Sequence, residues 1–266
     1  MASSQCCDNP PALNPACGKG KVVDSFGGLK AYVAGPEDSK AAVVLVADVF
    51  GTSSFLLPLE IVRLWYGTLQ VKSLLSPLAG FEAPILRNIA DKVASSGYFV
   101  VVPDFFHGDP YVPENAEKLI PVWLKSHTPE KGFEEAKPVI AALKEKGVSA
   151  VGAAGYCWGA KVVVELAKAN ELLQAAVLFF FSNITPEVKC SISILGAEMD
   201  VRSPPELVKQ FEQALSVNSG VGHFVKVFPG VAHGWSVRYS LDDAAAVKSA
   251  EEAFADMLDW FNKNLK

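Results

Sequence analysis

An alternation constrains this chain more than any other feature: short valine-rich apolar runs separated by amphipathic helical stretches. Ala41–Ala47 is a continuous apolar run with three valines, the pattern of a strand buried on both faces. Similar runs recur at Tyr98–Val102, Val148–Ala154, Ala175–Phe180, Ile192–Leu195 and Phe224–Phe228. Helical stretches fall at Pro84–Ser95, Lys131–Lys146, Gly159–Ala169 and Pro204–Leu215. A last helix sets Ala250, Phe254, Met257, Leu258, Phe261 and Leu265 on one stripe at spacings of three and four. Buried strands alternating with helices specify an α/β fold, a mostly parallel central sheet with helices on both faces. Lys21–Asp24 and Leu29–Ala34 flank Phe26-Gly27-Gly28 and read as an antiparallel hairpin at its edge.

Composition agrees with one large core. Of 266 residues, 50% are hydrophobic and 20% charged, which excludes disordered and fibrous classes. The formal charge of −5 argues against nucleic acid or an anionic membrane as partner. No uncharged apolar run reaches the ~18–20 residues of a spanning helix. Residues 1–20, with Cys6, Cys7, Cys17 and three prolines, read as a flexible N-terminal arm, and residues 21–266 as a single domain. Five cysteines without a secretory leader point to free thiols and a cytoplasmic chain. The spacing of Cys6, Cys7 and Cys17 fits no metal site, and none is expected elsewhere.

Ligands of such sheets sit at the carboxyl ends of the strands. There, Gly155-Tyr156-Cys157-Trp158-Gly159 follows an apolar run and opens a helix, a nucleophile elbow with cysteine in place of serine. The glycines are needed because side chains at those positions would strike the neighbouring strand and helix. The Cys157 thiol lies at a helix N-terminus, whose partial positive charge favours thiolate, and the N–H of Trp158 becomes available to an oxyanion. Asp200 follows the Ile192–Leu195 run, and His233 follows the Phe224–Phe228 run. Nucleophile, acid, histidine is the chain order of α/β-hydrolases, and the spacing predicts a Cys157–His233–Asp200 triad. Glu198 falls nearer its strand than Asp200, His223 lies at the wrong sheet edge, and His127 reads as solvated. His107, at a correct strand end, is expected to line the pocket.

These residues resemble the dienelactone hydrolase family, the carboxymethylenebutenolidase-like α/β-hydrolases, in its plant branch. The elbow around Cys157, Gly196-Ala197-Glu198-Met199-Asp200, His233-Gly234-Trp235, Pro103 to Gly108 and Ala47 to Gly51 carry the likeness. It implies a cysteine hydrolase of small esters or lactones that needs no cofactor or metal, present as a monomer or weak homodimer. It implies thiol activation by Asp48, a second oxyanion donor in the N–H of Val49, and Arg238 as a contact to a substrate carboxylate. A β-glucanase name attached to some plant relatives fits the residues less well, because glycoside hydrolysis needs two flanking carboxyl groups.

Two stretches depart from the family pattern. Residues 52–80 interrupt the passage from Gly51 to the Phe81-Glu82-Ala83-Pro84 helix start. The segment is leucine-rich, with Glu60, Arg63 and Lys72 as its charges. It reads as a hydrophobic lid or as an aberrant insertion, and losing Val49 as an oxyanion donor would cost roughly 3–4 kcal/mol of transition-state stabilisation. A non-catalytic binding protein on the same scaffold is therefore the rival reading. The second departure is Phe179–Ile184, where relatives carry a His-Pro pair and a longer loop.

Overall fold

The computed structural model describes residues 18–49, 83–111, 119–179, 187–217 and 220–266. The N-terminal arm up to residue 17, the 52–80 insertion and most of the Phe179–Ile184 stretch lie outside the described residues.

Eight strands form one sheet: β1 (Lys21–Phe26), β2 (Leu29–Ala34), β3 (Ala41–Val46), β4 (Phe99–Pro103), β5 (Ala150–Tyr156), β6 (Ala175–Phe179), β7 (Ser191–Ala197) and β8 (His223–Phe228). Their order is β1-β2-β4-β3-β5-β6-β7-β8. The β1–β2 hairpin pairs antiparallel with the rest through β4, and every pairing from β4 to β8 is parallel.

The apolar runs are continuous because each strand serves two cores. In β3, Ala42, Val44 and Val46 face one cluster, and Val43 and Leu45 face the other. The first cluster is covered by α2 (Ile120–Ser126), α3 (Pro129–Glu145), α4 (Trp158–Lys168) and α5 (Pro205–Val217). The second is covered by α1 (Pro84–Ser95), through Ile85, Leu86, Ile89 and Val93, and by α6 (Ala244–Leu265), through Ala253, Met257, Phe261 and Leu265. Each Val, Leu, Ile, Met or Phe side chain among these, fully buried, contributes about 1.5–3 kcal/mol.

Caps mark the helix starts. Thr128 accepts from the Lys131 N–H ahead of α3, and the Asp243 carboxylate accepts from the N–H groups of Ala245 and Ala246 ahead of α6. Between β3 and β5 the chain order reverses, and the crevice at their carboxyl ends is the expected ligand position. Val46 pairs with Gly155 there, so Asp48 and Val49 emerge beside Cys157. No described helix is long and apolar enough to cross a membrane.

Candidate active site

Cys157 stands between β5 and α4 with φ 53° and ψ −107°, a conformation that non-glycine residues seldom adopt. The crowding that enforces it is measurable. A Cβ on Gly155 would fall 2.3 Å from the Gly159 carbonyl oxygen, and one on Gly159 would fall 2.2 Å from that of Val46. The turn is pinned by the Cys157 N–H donating to the Phe179 carbonyl at 3.1 Å. As the first residue of α4, Trp158 has an N–H with no intrahelical acceptor.

The Cys157 Sγ lies 3.1 Å from His233 Nε2, and His233 Nδ1 lies 3.1 Å from Asp200 Oδ2. A carboxylate can only accept, so His233 Nδ1 carries a proton toward Asp200, and Nε2 faces the Cys157 sulfur. Both the imidazole and the carboxylate are fully buried. Asp200 is itself fixed: its Oδ1 accepts from the N–H groups of Arg202 and Ser203 at 2.8 and 3.2 Å. Glu198, by contrast, is exposed and accepts from the Gly230 N–H at 2.7 Å. The three residues singled out from sequence are thus brought together, and the rival acid is not.

Asp48 lines the recess at Cys157 together with Tyr156, Phe179 and Trp235. Val49 is buried, and its carbonyl accepts from the Tyr111 N–H at 3.0 Å, which holds the chain just after β3.

The two expected substrate contacts lie away from the described lining of this recess. His107 does not line the recess at Cys157. The Asp104 carboxylate, whose pKa burial raises, accepts from the N–H groups of Phe106 and Gly108 and turns the chain outward. The His107 side chain is half exposed and meets Glu135 Oε1 of α3 at 2.9 Å. Arg238 is neither a surface residue nor a wall of the recess. It is 1% exposed, with Nε 3.1 Å from Asp48 Oδ2 and Nη2 donating to the His233 carbonyl at 3.3 Å.

The reading of His127 as solvated is also overturned. His127 is buried just after α2, as its C-cap, and stacks on Trp123 with ring centroids 4.3 Å apart. Its carbonyl accepts from the Trp158 indole N–H at 2.8 Å, and Phe106 packs edge-on to Trp158 at 4.8 Å. An aromatic cluster therefore clamps Trp158, the residue that follows Cys157. Helix α2 was not foreseen, although Ile120, Trp123, Leu124 and His127 recur at spacings of three and four behind Pro121. That signal was available and missed. Among the described residues no cluster of three or more His, Cys, Asp or Glu side chains is placed to hold a metal.

A parallel sheet with a nucleophile elbow at the end of its fifth strand, and with imidazole and carboxylate on later strand ends, defines the α/β-hydrolase class. The chain belongs to the dienelactone hydrolase family, whose model matches residues 75–265. An endo-1,3;1,4-beta-D-glucanase of Zea mays is 42% identical over 223 residues, which cover 80% of this chain and 62% of that protein. The match thus spans less than two thirds of the maize protein. A carboxymethylenebutenolidase homolog of Xenopus tropicalis is 32% identical over 245 residues, covering 88% of this chain and 87% of that protein. Among solved structures, a dienelactone hydrolase-like promiscuous phosphotriesterase from metagenomic libraries superposes with a TM-score of 0.62 at 17% identity. It covers 93% of this chain and 99% of its own, and shows the common fold. Family membership makes the chain a hydrolase acting on ester bonds.

Proposed function

We propose that the chain cleaves small esters or lactones through Cys157, with His233 as general base and acid and Asp200 orienting the imidazole. The observation that carries this reading is the continuous contact from Cys157 Sγ through both ring nitrogens of His233 to Asp200, at 3.1 Å on each side. In this mechanism His233 Nε2 takes the thiol proton and the sulfur attacks the carbonyl carbon. The resulting oxyanion is stabilised by the N–H groups of Trp158 and Val49. Collapse expels the alcohol, which takes the proton from His233, and leaves a thioester on Cys157. Water, deprotonated by His233, then releases the acid. With a lactone the alcohol stays tethered, and the product is one hydroxy acid. Asp48, on the wall of the same recess, is assigned to thiol activation, and no cofactor takes part.

The maize relative's name suggests glycoside hydrolysis, which usually uses two carboxyl groups ~5–10 Å apart across the bond. Among the described residues, Asp200 is fully buried against His233 and Asp48 meets Arg238. That arrangement favours acyl transfer. The test is turnover of p-nitrophenyl acetate by the full chain beside its Cys157→Ala variant, with release of reducing sugar from mixed-linkage β-glucan as the competing readout. Esterase turnover that survives in Cys157→Ala sinks the thiol mechanism, and its absence in the native chain favours a binding role for this scaffold.

A further inference from the structure

We infer that the Trp158 indole, with Gly132 making room for it, is a positioning group: it is anchored from outside the elbow and aims the Trp158 backbone N–H at the oxyanion. The inference rests on the thiol-hydrolase reading and names the part of the fold that holds this donor. Trp158 is 4% exposed and is not part of the described lining of the recess at Cys157. Its indole belongs instead to the core under α2 and α3.

Three segments between β4 and β5 hold the ring. The indole N–H donates to the His127 carbonyl at 2.8 Å, just past α2. A buried N–H is costly to leave unpaired, so this bond fixes the rotation of the ring. Phe105 and Phe106, after β4, pack against it with centroids at 6.0 and 4.8 Å. His127 is itself held, with its ring stacked on Trp123 and its Nδ1 donating to the Trp123 carbonyl at 3.1 Å.

Gly132 is the third segment and an independent sign. It lies within α3, where alanine is the better helix former, and its φ is not in the left-handed region. Backbone conformation therefore does not call for glycine. A Cβ there would fall 2.6 Å from Trp158 Cη2 and 2.8 Å from Val162 Cγ2. The helix lacks a side chain where the outer ring of the indole needs space. Trp158 opens α4 directly after Cys157 at φ 53°, so a clamped side chain also fixes the peptide plane that carries its N–H. Such a donor is effective only when aimed in advance, because reorienting it during the reaction cancels much of its electrostatic gain.

The test combines three readouts on the full chain: turnover of p-nitrophenyl acetate, alkylation of Cys157 by iodoacetamide, and inhibition by 1,1,1-trifluoro-2-butanone. In the ketone adduct the sulfur bonds to the carbonyl carbon, the π electrons move to oxygen as an oxyanion, and His233 keeps the thiol proton. Trp158→Phe retains a ring and removes the indole donor. It is expected to lower kcat and ketone affinity by about 10–100-fold, with KM and the alkylation rate nearly unchanged. Alkylation forms no oxyanion, so it reports the thiol and imidazole alone. Gly132→Ala is expected to act in the same direction. Its kinetic effect should vanish in the Trp158→Phe background, where no ring atom reaches the Cη2 position, while its packing cost against Val162 persists in the melting temperature.

Unchanged ketone affinity in Trp158→Phe overturns the inference, as does a native chain that binds no ketone. A kinetic loss matched by an equal loss of alkylation also overturns it, since the thiol itself has then moved. So does a Gly132→Ala effect that persists in full in the double variant. Should Trp158→Phe not fold, Gly132→Ala decides by the same comparison of ketone affinity with alkylation. If the native chain turns over no ester while ketone affinity still falls in the variants, the positioning role stands and the hydrolase reading falls.

Discussion

Two cysteines of this chain occupy opposite ends of the same sheet and have opposite chemistry. Cys157 follows the carboxyl end of β5, partly exposed, in a left-handed conformation at the N-terminus of α4 and 3.1 Å from an imidazole. Cys190 precedes the amino end of β7 and is buried with Val188 and Ile192 in the core. Burial pushes the Cys190 thiol up to about 12 from its ordinary 9.0, because the charged form loses its solvation there. The same side chain is the proposed nucleophile at one site and a small hydrophobe at the other. The difference lies in three things the strand end supplies: an open face, a helix terminus and a base.

The sharpest way to break this contrast is to delete each thiol. Cys157→Ala is expected to lower kcat for p-nitrophenyl acetate by ~10⁴-fold or more, with the melting temperature nearly unchanged. If Cys190→Ala has the larger kinetic effect, the assignment of the two thiols is wrong. Next in size, Asp200→Asn leaves the geometry but lets the amide favour the wrong imidazole tautomer, and steady-state kinetics are expected to show a loss of ~10³–10⁴-fold.

The elbow itself is tested by Gly159→Ala, whose Cβ would lie 2.2 Å from a backbone oxygen that cannot move aside. Denaturant unfolding is expected to show a loss of about 3 kcal/mol, in contrast to the mild effect of most surface changes. Cys190→Ala is expected to cost about 1–2 kcal/mol by leaving a small cavity, with kcat unchanged.

The smallest effect is a pH dependence. Because the folded-state value of Cys190 is raised, the native chain holds this proton more tightly than the unfolded chain does. Its contribution to stability is present below pH 9 and is lost as pH rises through about 12. Cys190→Ala should flatten that part of the alkaline unfolding profile, and iodoacetamide at pH 8 should label Cys157 well before Cys190.

Much of this arrangement was legible in residue order. The strands were readable because burial on both faces leaves no polar alternation, as in β3, and α1 was readable from its proline start and apolar stripe. Cys157, Asp200 and His233 were readable because an elbow needs glycines on both sides and because strand ends bear the chemistry. Helix α2 was overlooked because its seven residues give barely two turns of periodicity. The role of His127 was invisible for a different reason: its tie to Trp158 is made by a backbone carbonyl, which every residue possesses.

Arg238 shows where sequence reading stops. The chain places an arginine five positions after His233, and by sequence alone it could face solvent, substrate or the core. The turn at Gly234 and the register of β3 beside β5 bring Asp48 within 3.1 Å of its guanidinium. The sequence by itself determined the sheet, the elbow and the order of the three reactive residues, because these follow from local spacing and solvent exclusion. Only the tertiary structure decided which charges meet. An ion pair depends on distances between segments far apart in the chain, and no local pattern encodes them.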